Sequence, residues 1–123
     1  MIGKIYSSIT PFYDAQAKKN SFKSRPVLII SEAINNDYTV LPISTISRPE
    51  NRHPEYDIPI TLSDYPLLNL DRDSYIRTHK QTTVHRASLS KEISDLKQCY
   101  GDLYISVLAK LEQFNGEILN NAL

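Results

Sequence analysis

The chain has 123 residues, the size of one ordinary domain, so the sequence predicts a single domain over residues 1–123. Hydrophobic residues make up 41% and charged residues 23%, which is typical of a globular protein. Only 3 Gly and 7 Pro are present, and this excludes a collagen-like or low-complexity chain. One Cys excludes an intrachain disulfide and a thiolate zinc cage.

Targeting and membrane segments are not expected. The first residues lack the apolar stretch of a signal peptide, and the longest apolar run, Val27–Ile30, is far below the ~20 residues that span a bilayer. We therefore expect a cytoplasmic protein without membrane contact.

The charges balance in total, with 14 Lys+Arg against 14 Asp+Glu, but they alternate in blocks. Residues 1–31 carry +4, residues 32–71 carry −5, residues 72–91 carry +4 and residues 92–123 carry −3. If folding brings the two basic blocks together, they form a localised site for a polyanion. The alternative is that each block is a solvated face paired with an acidic segment.

The first half of the chain has a β pattern. Residues 3–6 predict a short strand, and the mostly polar residues 10–24 predict a mobile loop. The β-branched run 26–30, entered through Pro, predicts a buried strand. The turn-forming residues 35–37 then lead into a second strand over residues 38–44, which should pair antiparallel with the first.

The second half predicts further short strands and one helix. Residues 56–60 indicate an edge strand because of Pro59, and residues 62–70 indicate a turn or two of helix. A long strand with one solvated face is expected over residues 75–84, and a short strand around residues 93–96.

Apolar residues at i, i+3, i+4 and i+7 spacing predict a C-terminal amphipathic helix over residues 98–120. Five or six short strands and one terminal helix indicate a mainly β (α+β) fold, a small barrel with a helix packed on it.

Common catalytic and metal-binding motifs are missing. The chain has no P-loop, dinucleotide-binding, H-E-x-x-H, C-x-x-C or G-x-S-x-G pattern. His79 and His85 could share one strand face, but two histidines at this spacing are a weak metal signal. Cys99 has no catalytic surroundings and is interpreted as a packing residue. No metal or cofactor is expected.

One arrangement of residues suits phosphodiester chemistry. Arg25 precedes the core strand, and the hydroxyl pair Ser44–Thr45 ends the strand that should pair with it. A guanidinium is a permanent cation with forked donors, and hydroxyls are neutral donors beside it. Such groups stabilise the charge of a phosphorane transition state. Most Arg-Pro dipeptides, however, are structural, so this signal alone is unspecific.

Three segments together resemble a known family. They are residues 23–30 (KSRPVLII), 40–45 (VLPIST) and 75–78 (YIRT), and with the opening GKIY and the terminal helix they are similar to the MazF/PemK toxins of type II toxin–antitoxin systems. The resemblance implies a small SH3-like barrel of the MazF/CcdB toxin type with a C-terminal helix, forming a homodimer. It also implies metal-independent, sequence-selective cleavage of single-stranded RNA (mRNA), leaving a cyclic phosphate and a 5′-hydroxyl, so the chain is expected to be an endoribonuclease (mRNA interferase).

The resemblance implies catalytic roles for three residues. Arg25 matches the family's catalytic arginine, Ser44 matches its phosphate-contacting threonine, and Thr45 adds a second hydroxyl. Residues 14–19 (DAQAKK) lack the family's Gly-x-Glu-Gln pattern, and Ser74 stands where many members have an acid. The base that deprotonates the 2′-hydroxyl therefore stays open among four residues, which are Asp73, Asp14, His79 and Arg25.

RNA is expected to lie between residues 10–24 and residues 72–86, with its own 2′-oxygen attacking phosphorus. The candidate RNA-binding residues are Lys18, Lys19, Lys23, Asp73, Ser74, Tyr75, Arg77, His79 and Lys80. Four aromatic residues could stack unpaired bases, the alternative being that about half of them pack in the core; these are Phe12, Tyr13, Phe22 and Tyr75.

Two other classes remain open. A gyrase poison of the CcdB type shares the fold and acts through a terminal-helix surface, although residues 119–123 do not resemble one. The other is a catalytically silent barrel that binds RNA or a peptide. A toxin would also imply a cognate antitoxin, usually an acidic flexible segment attracted to the same basic groove.

Overall fold

The computed structural model describes all residues, 1–123. One curled sheet contains seven strands, and two helices follow it. The elements are β1 Lys4–Asp14, β2 Lys19–Ile29, β3 Asp37–Ser44, β4 Asp57–Ile60, β5 Ser74–Arg77, β6 Thr82–His85, β7 Leu89–Asp95, α1 Leu96–Cys99 and α2 Gly101–Ala122. The strand order is β4-β5-β3-β2-β1-β7, and β6 pairs with β3 outside this path.

A long hairpin replaces the predicted mobile loop over residues 10–24, so that prediction is wrong. Strands β1 and β2 pair without interruption from Ile5 opposite Leu28 to Asp14 opposite Lys19. The Asp14 carboxylate closes the turn by accepting the backbone N–H groups of Gln16 and Ala17, at 3.0 and 3.1 Å. Cross-strand pairing satisfies the backbone of this polar stretch, while most of its side chains point to solvent.

Several predicted elements are confirmed around β3. The strand over residues 38–44 exists and pairs antiparallel with β2, Val27 lying opposite Pro42. Strand β4 lies at an edge of the sheet, as Pro59 indicated. A single helical turn, Pro66–Leu68, occurs within the segment predicted to hold one.

The predicted long strand over residues 75–84 is wrong, because a turn divides it into β5 and β6. Thr78 donates its backbone N–H and its hydroxyl to the Tyr56 carbonyl at 3.2 and 2.6 Å, and the Lys80 N–H bonds to the Arg77 carbonyl. Strand β5 pairs with the end of β3, and β6 pairs with its beginning. His79 lies in the turn, so it does not share a strand face with His85.

The mainly β fold with a C-terminal helix is confirmed. The helix is interrupted at Tyr100, whose φ of −139° is extended, and α2 then packs Leu103, Tyr104 and Val107 against the sheet. The main core contains 11 buried residues from both the sheet and the helices. Burial of each large apolar side chain contributes roughly 1.5–3 kcal/mol to this packing.

Cys99 and the start of β7 differ from the sequence predictions. Cys99 is exposed, so its interpretation as a packing residue is wrong. Strand β7 begins earlier than the predicted short strand, at Leu89. None of the helices has the length and apolar character needed to cross a membrane.

Candidate active site

Two cavities lie side by side on one surface of the sheet. The first has a volume of about 750 Å³ and the second about 670 Å³. Three residues line both cavities, and they are Arg25, Ser44 and Thr45. The guanidinium and the two hydroxyls therefore form a ridge between two spaces, and a ligand lying across the ridge would enter both.

The pairing of β2 with β3 explains why these residues meet. Val27 lies opposite Pro42, and continuing that register by two residues along each strand brings Arg25 level with Ser44. The pairing of β2 with β3 ends at Val27 and Pro42, while on its other side β3 pairs Ser44 with Tyr75 of β5. Arg25 and Ser44 lie just beyond the last paired residues, and they line the cavities instead of a packed core.

The ridge residues are available to a ligand. Arg25 and Thr45 are exposed and Ser44 is half-buried. Arg25 takes part in none of the four ion pairs of the protein. An unpaired guanidinium beside hydroxyl donors is suited to bind a phosphate or a phosphorane.

The first cavity combines cations with carboxylates. Arg72 and Lys91 line it together with Asp71 and Glu92. Glu92 accepts hydrogen bonds from the Lys4 ammonium at 2.8 Å and from the Tyr6 hydroxyl at 3.3 Å. The hydrogen bond from Lys4 lowers the pKa of Glu92, so its carboxylate is ionised and already engaged at neutral pH.

The second cavity is more cationic. Arg52, Arg77 and Lys80 line it, and Glu50 is its one acidic lining residue. The imidazoles of His53 and His79 also line it, with ring centroids 4.9 Å apart. Together with Arg25, these cations give this side of the ridge a positive charge that would attract a polyanion.

His79 is held in its neutral form. Its side chain is only 11% exposed, and burial lowers its pKa, although the nearby Asp57 carboxylate opposes this effect. Its Nδ1 lies 3.7 Å from Asp57 Oδ1. A neutral imidazole at pH 7 can accept a proton, which is the property that a general base requires.

The structure separates the predicted RNA-binding residues into two groups. Those that line a cavity are Ser74, Arg77, His79 and Lys80. Those that line neither cavity are Lys18, Lys19, Lys23, Asp73 and Tyr75. The three lysines are exposed on the hairpin, so the folded chain gathers part of each basic block, and not all of it, around the ridge.

The predicted stacking residues are placed differently from one another. Tyr13 and Phe22 are 63% and 71% exposed on the hairpin, away from both cavities. Phe12 is covered by the Lys23 ammonium, 4.6 Å from the ring centroid. The Arg52 guanidinium lies over the Tyr75 ring, 5.1 Å from its centroid. Tyr75 therefore packs against Arg52, a residue of the second cavity, without lining the cavity itself.

The four candidate bases also differ in position. Asp14 closes the hairpin turn, and Asp73 Oδ1 accepts the Leu62 backbone N–H at 2.7 Å. Both carboxylates therefore have structural roles and line neither cavity. His79 and Arg25 are the candidates that do line the site.

Sequence reasoning missed Asp57, the buried partner of Arg77. Its side chain is 0% exposed, and its Oδ1 accepts from Arg77 Nε at 3.1 Å. It also missed the wall residues Arg52 and Asn51 of the second cavity and Lys91 of the first. No local pattern marks these residues, because only the folded arrangement of β4, β5 and the preceding loop brings them to the site. No group of three or more His, Cys, Asp or Glu residues is placed to hold a metal ion.

Three solved mycobacterial proteins have a similar fold. The chain is similar to "Mycobacterium tuberculosis toxin MazF-mt6", with 19% identity over 95% of this chain and 96% of that one and a TM-score of 0.57. It is also similar to an endoribonuclease in complex with its cognate antitoxin from a mycobacterial species, with 14% identity, 94% of each chain covered and a TM-score of 0.62. A third, described as an Mtb toxin, has 18% identity over 85% of this chain and 99% of that chain, with a TM-score of 0.57.

Family membership rests on the sequence itself. No curated protein matches the chain. The model of the PemK-like, MazF-like toxins of type II toxin–antitoxin systems matches residues 6–114, which include the ridge and both cavities. The chain belongs to this family of PemK-like, MazF-like toxins.

Proposed function

We propose that the protein is a sequence-selective endoribonuclease toxin that cleaves single-stranded RNA without a metal ion. The observation that carries the proposal is the ridge, where Arg25, Ser44 and Thr45 separate two cavities. A phosphodiester on the ridge would extend one nucleotide into each cavity. The family and the endoribonuclease named among the similar structures support the same activity.

The proposed reaction is an internal transphosphorylation. The 2′-oxygen attacks the adjacent phosphorus, the bond from phosphorus to the 5′-oxygen breaks, and the products are a 2′,3′-cyclic phosphate and a 5′-hydroxyl. Arg25 and the hydroxyls of Ser44 and Thr45 stabilise the charge on the phosphorane oxygens. Because the nucleophile belongs to the substrate, the protein supplies mainly alignment and charge.

A base must take the proton of the 2′-hydroxyl, and we propose His79 for this role. Its side chain is 11% exposed and lines the second cavity, as Arg25 does, and burial lowers its pKa. The leaving 5′-oxygen takes up a proton from the imidazolium so formed or from water.

The proposed partners follow from the charge of the site. Cellular mRNA in the cytoplasm is the substrate, and a cognate antitoxin with an acidic segment would compete for the cations around the ridge. A similar toxin structure contains its cognate antitoxin, which supports this proposal.

We also propose a homodimer, which a molar-mass measurement in solution would test.

The experiment that tests this function is RNA cleavage in excess EDTA followed by analysis of the new ends. We expect cleavage of single-stranded RNA at a preferred sequence, with cyclic phosphate and 5′-hydroxyl ends. Activity that requires an added divalent ion, or ends with a 5′-phosphate, would reject the mechanism. Inhibition of DNA gyrase without RNA cleavage would instead favour the non-enzymatic toxin class.

A further inference from the structure

The second cavity is built on one buried carboxylate. The Asp57 side chain, 0% exposed, accepts from Arg77 Nε at 3.1 Å, from Arg77 Nη2 at 3.4 Å and from the His53 backbone N–H at 2.7 Å. A buried charge is tolerated only when it is paired and hydrogen-bonded. This carboxylate therefore holds its partners in a fixed geometry.

The same contacts attach the preceding loop, residues 45–56, to the sheet. Arg77 Nη2 also donates to the Asn51 carbonyl at 3.1 Å. His53 Nδ1 accepts the backbone N–H groups of Glu55 and Tyr56 at 3.2 and 3.1 Å. Two points of the loop are thus tied to the Asp57 and Arg77 pair, which is itself a cross-strand pair of β4 and β5.

The loop so held supplies one wall of the second cavity. Glu50, Asn51 and Arg52 line the cavity and are exposed, and the Arg52 guanidinium is supported from behind by the Tyr75 ring. A carboxylate, an amide and a guanidinium together offer acceptors and donors. Unpaired RNA bases are recognised by hydrogen bonds of this kind to their edges and by stacking on guanidinium planes.

The cavity is also supported from the side of the helix. Phe114 of α2 packs edge-on against Tyr56, with centroids 5.0 Å apart, and against His79 at 6.2 Å. His79, which lines the cavity, is therefore packed against an aromatic side chain of α2, and the loop that forms the cavity wall is held by Asp57, whose side chain is 0% exposed.

We propose that Asp57 and Arg77 are positioning residues that shape the second cavity to select one nucleobase next to the scissile phosphate. Neither residue reads the base itself; the loop side chains that they hold do so. The inference rests on the proposed ribonuclease function and adds the origin of its sequence preference. Arg77 accordingly acts through its fork of donors to Asp57 and Asn51, and not as a simple cation for phosphate.

The test compares wild type, Arg77→Lys and Lys80→Ala on a pool of single-stranded RNAs with randomised sequence, mapping every cleavage site. Arg77→Lys keeps the charge but removes the fork. We expect the preference at one position beside the cut to weaken by roughly 5- to 100-fold. Lys80→Ala is the matched control in the same cavity. It should weaken cleavage of all sequences alike and leave the sequence preference unchanged. The slope of log RNA affinity against log salt concentration should become shallower by about one unit.

A second variant covers the case in which Arg77→Lys does not fold. The double variant Asn51→Ala/Arg52→Ala removes two exposed side chains of the cavity wall and no buried contact. It should change the base preference at the same nucleotide beside the cut. If the variants that fold cleave with the wild-type preference, the inference is overturned while the proposed function stands. If wild type cleaves no RNA, the proposed function fails and this inference fails with it.

Discussion

Replacing Arg77 by Met should destabilise the protein strongly, because it removes the cation from a carboxylate that has no access to water. Asp57 is 0% exposed and would keep only the His53 N–H within hydrogen-bond distance, while Arg77 is 22% exposed. Removing one member of a buried pair costs about 3–5 kcal/mol, and the partial exposure here favours the lower end. A chain of this length has a total stability of roughly 6–18 kcal/mol. The loss should lower the thermal midpoint by about 10–15 °C.

The assay is urea unfolding of wild type, Arg77→Met, Asp57→Asn and the double variant. The amide in the double variant removes the buried charge and can still accept the His53 N–H. We therefore expect the double variant to be less destabilised than the sum of the two single variants, by at least about 1 kcal/mol. Additive free energies, or a loss below about 1 kcal/mol for Arg77→Met, would refute the view that this pair organises the loop.

Four further variants have expected outcomes. Burial lowers the pKa of His79, so its contribution to stability is complete above pH 6.5 and is lost as pH falls through 6.5 toward the lowered value; unfolding at pH 7.5 and 5.5 should show a smaller pH effect for His79→Gln. Burial raises the pKa of Tyr56 to about 12, so stability should fall as pH rises from 10 to 12, and Tyr56→Phe should reduce this alkaline slope. Gly3 has a φ of +86° and an added Cβ would clash with Lys97, so thermal melting should show Gly3→Ala destabilised by about 1–2 kcal/mol or more; Gly116→Ala in helix α2 meets open space and should stabilise by about 0.5–1 kcal/mol.

Local sequence patterns were sufficient for the elements that bury apolar residues. The β-branched run of β2, the turn before β3 and the spacing of Leu103, Tyr104 and Val107 each follow from local chemistry. The hairpin tip was not predictable in this way. Its strands are polar and mostly exposed, so they lack the alternation of apolar and polar residues that marks a strand, and backbone pairing between the two strands stabilises them.

The part of the site that lies on apolar core strands was predictable from the sequence, and the rest was not. Arg25 and Ser44 meet because two recognisable core strands pair, so strand adjacency could place them together. The turn at residues 78–81 was missed because Thr78 is held by the carbonyl of Tyr56, which is distant in sequence. Asp57 was missed because its burial depends on the register of β4 with β5.

In the proposed reaction the exposed Arg25 guanidinium, on the ridge between the two cavities, stabilises the charge that develops on the phosphorane. The most direct measurement is the single-turnover rate of RNA cleavage in EDTA by wild type, Arg25→Ala and Arg86→Ala, which removes an exposed arginine that lines neither cavity. We expect Arg25→Ala to lose roughly 10²–10³-fold in rate with an unchanged thermal midpoint, and Arg86→Ala to cleave at the wild-type rate. Equal rates for wild type and Arg25→Ala would contradict this role of Arg25.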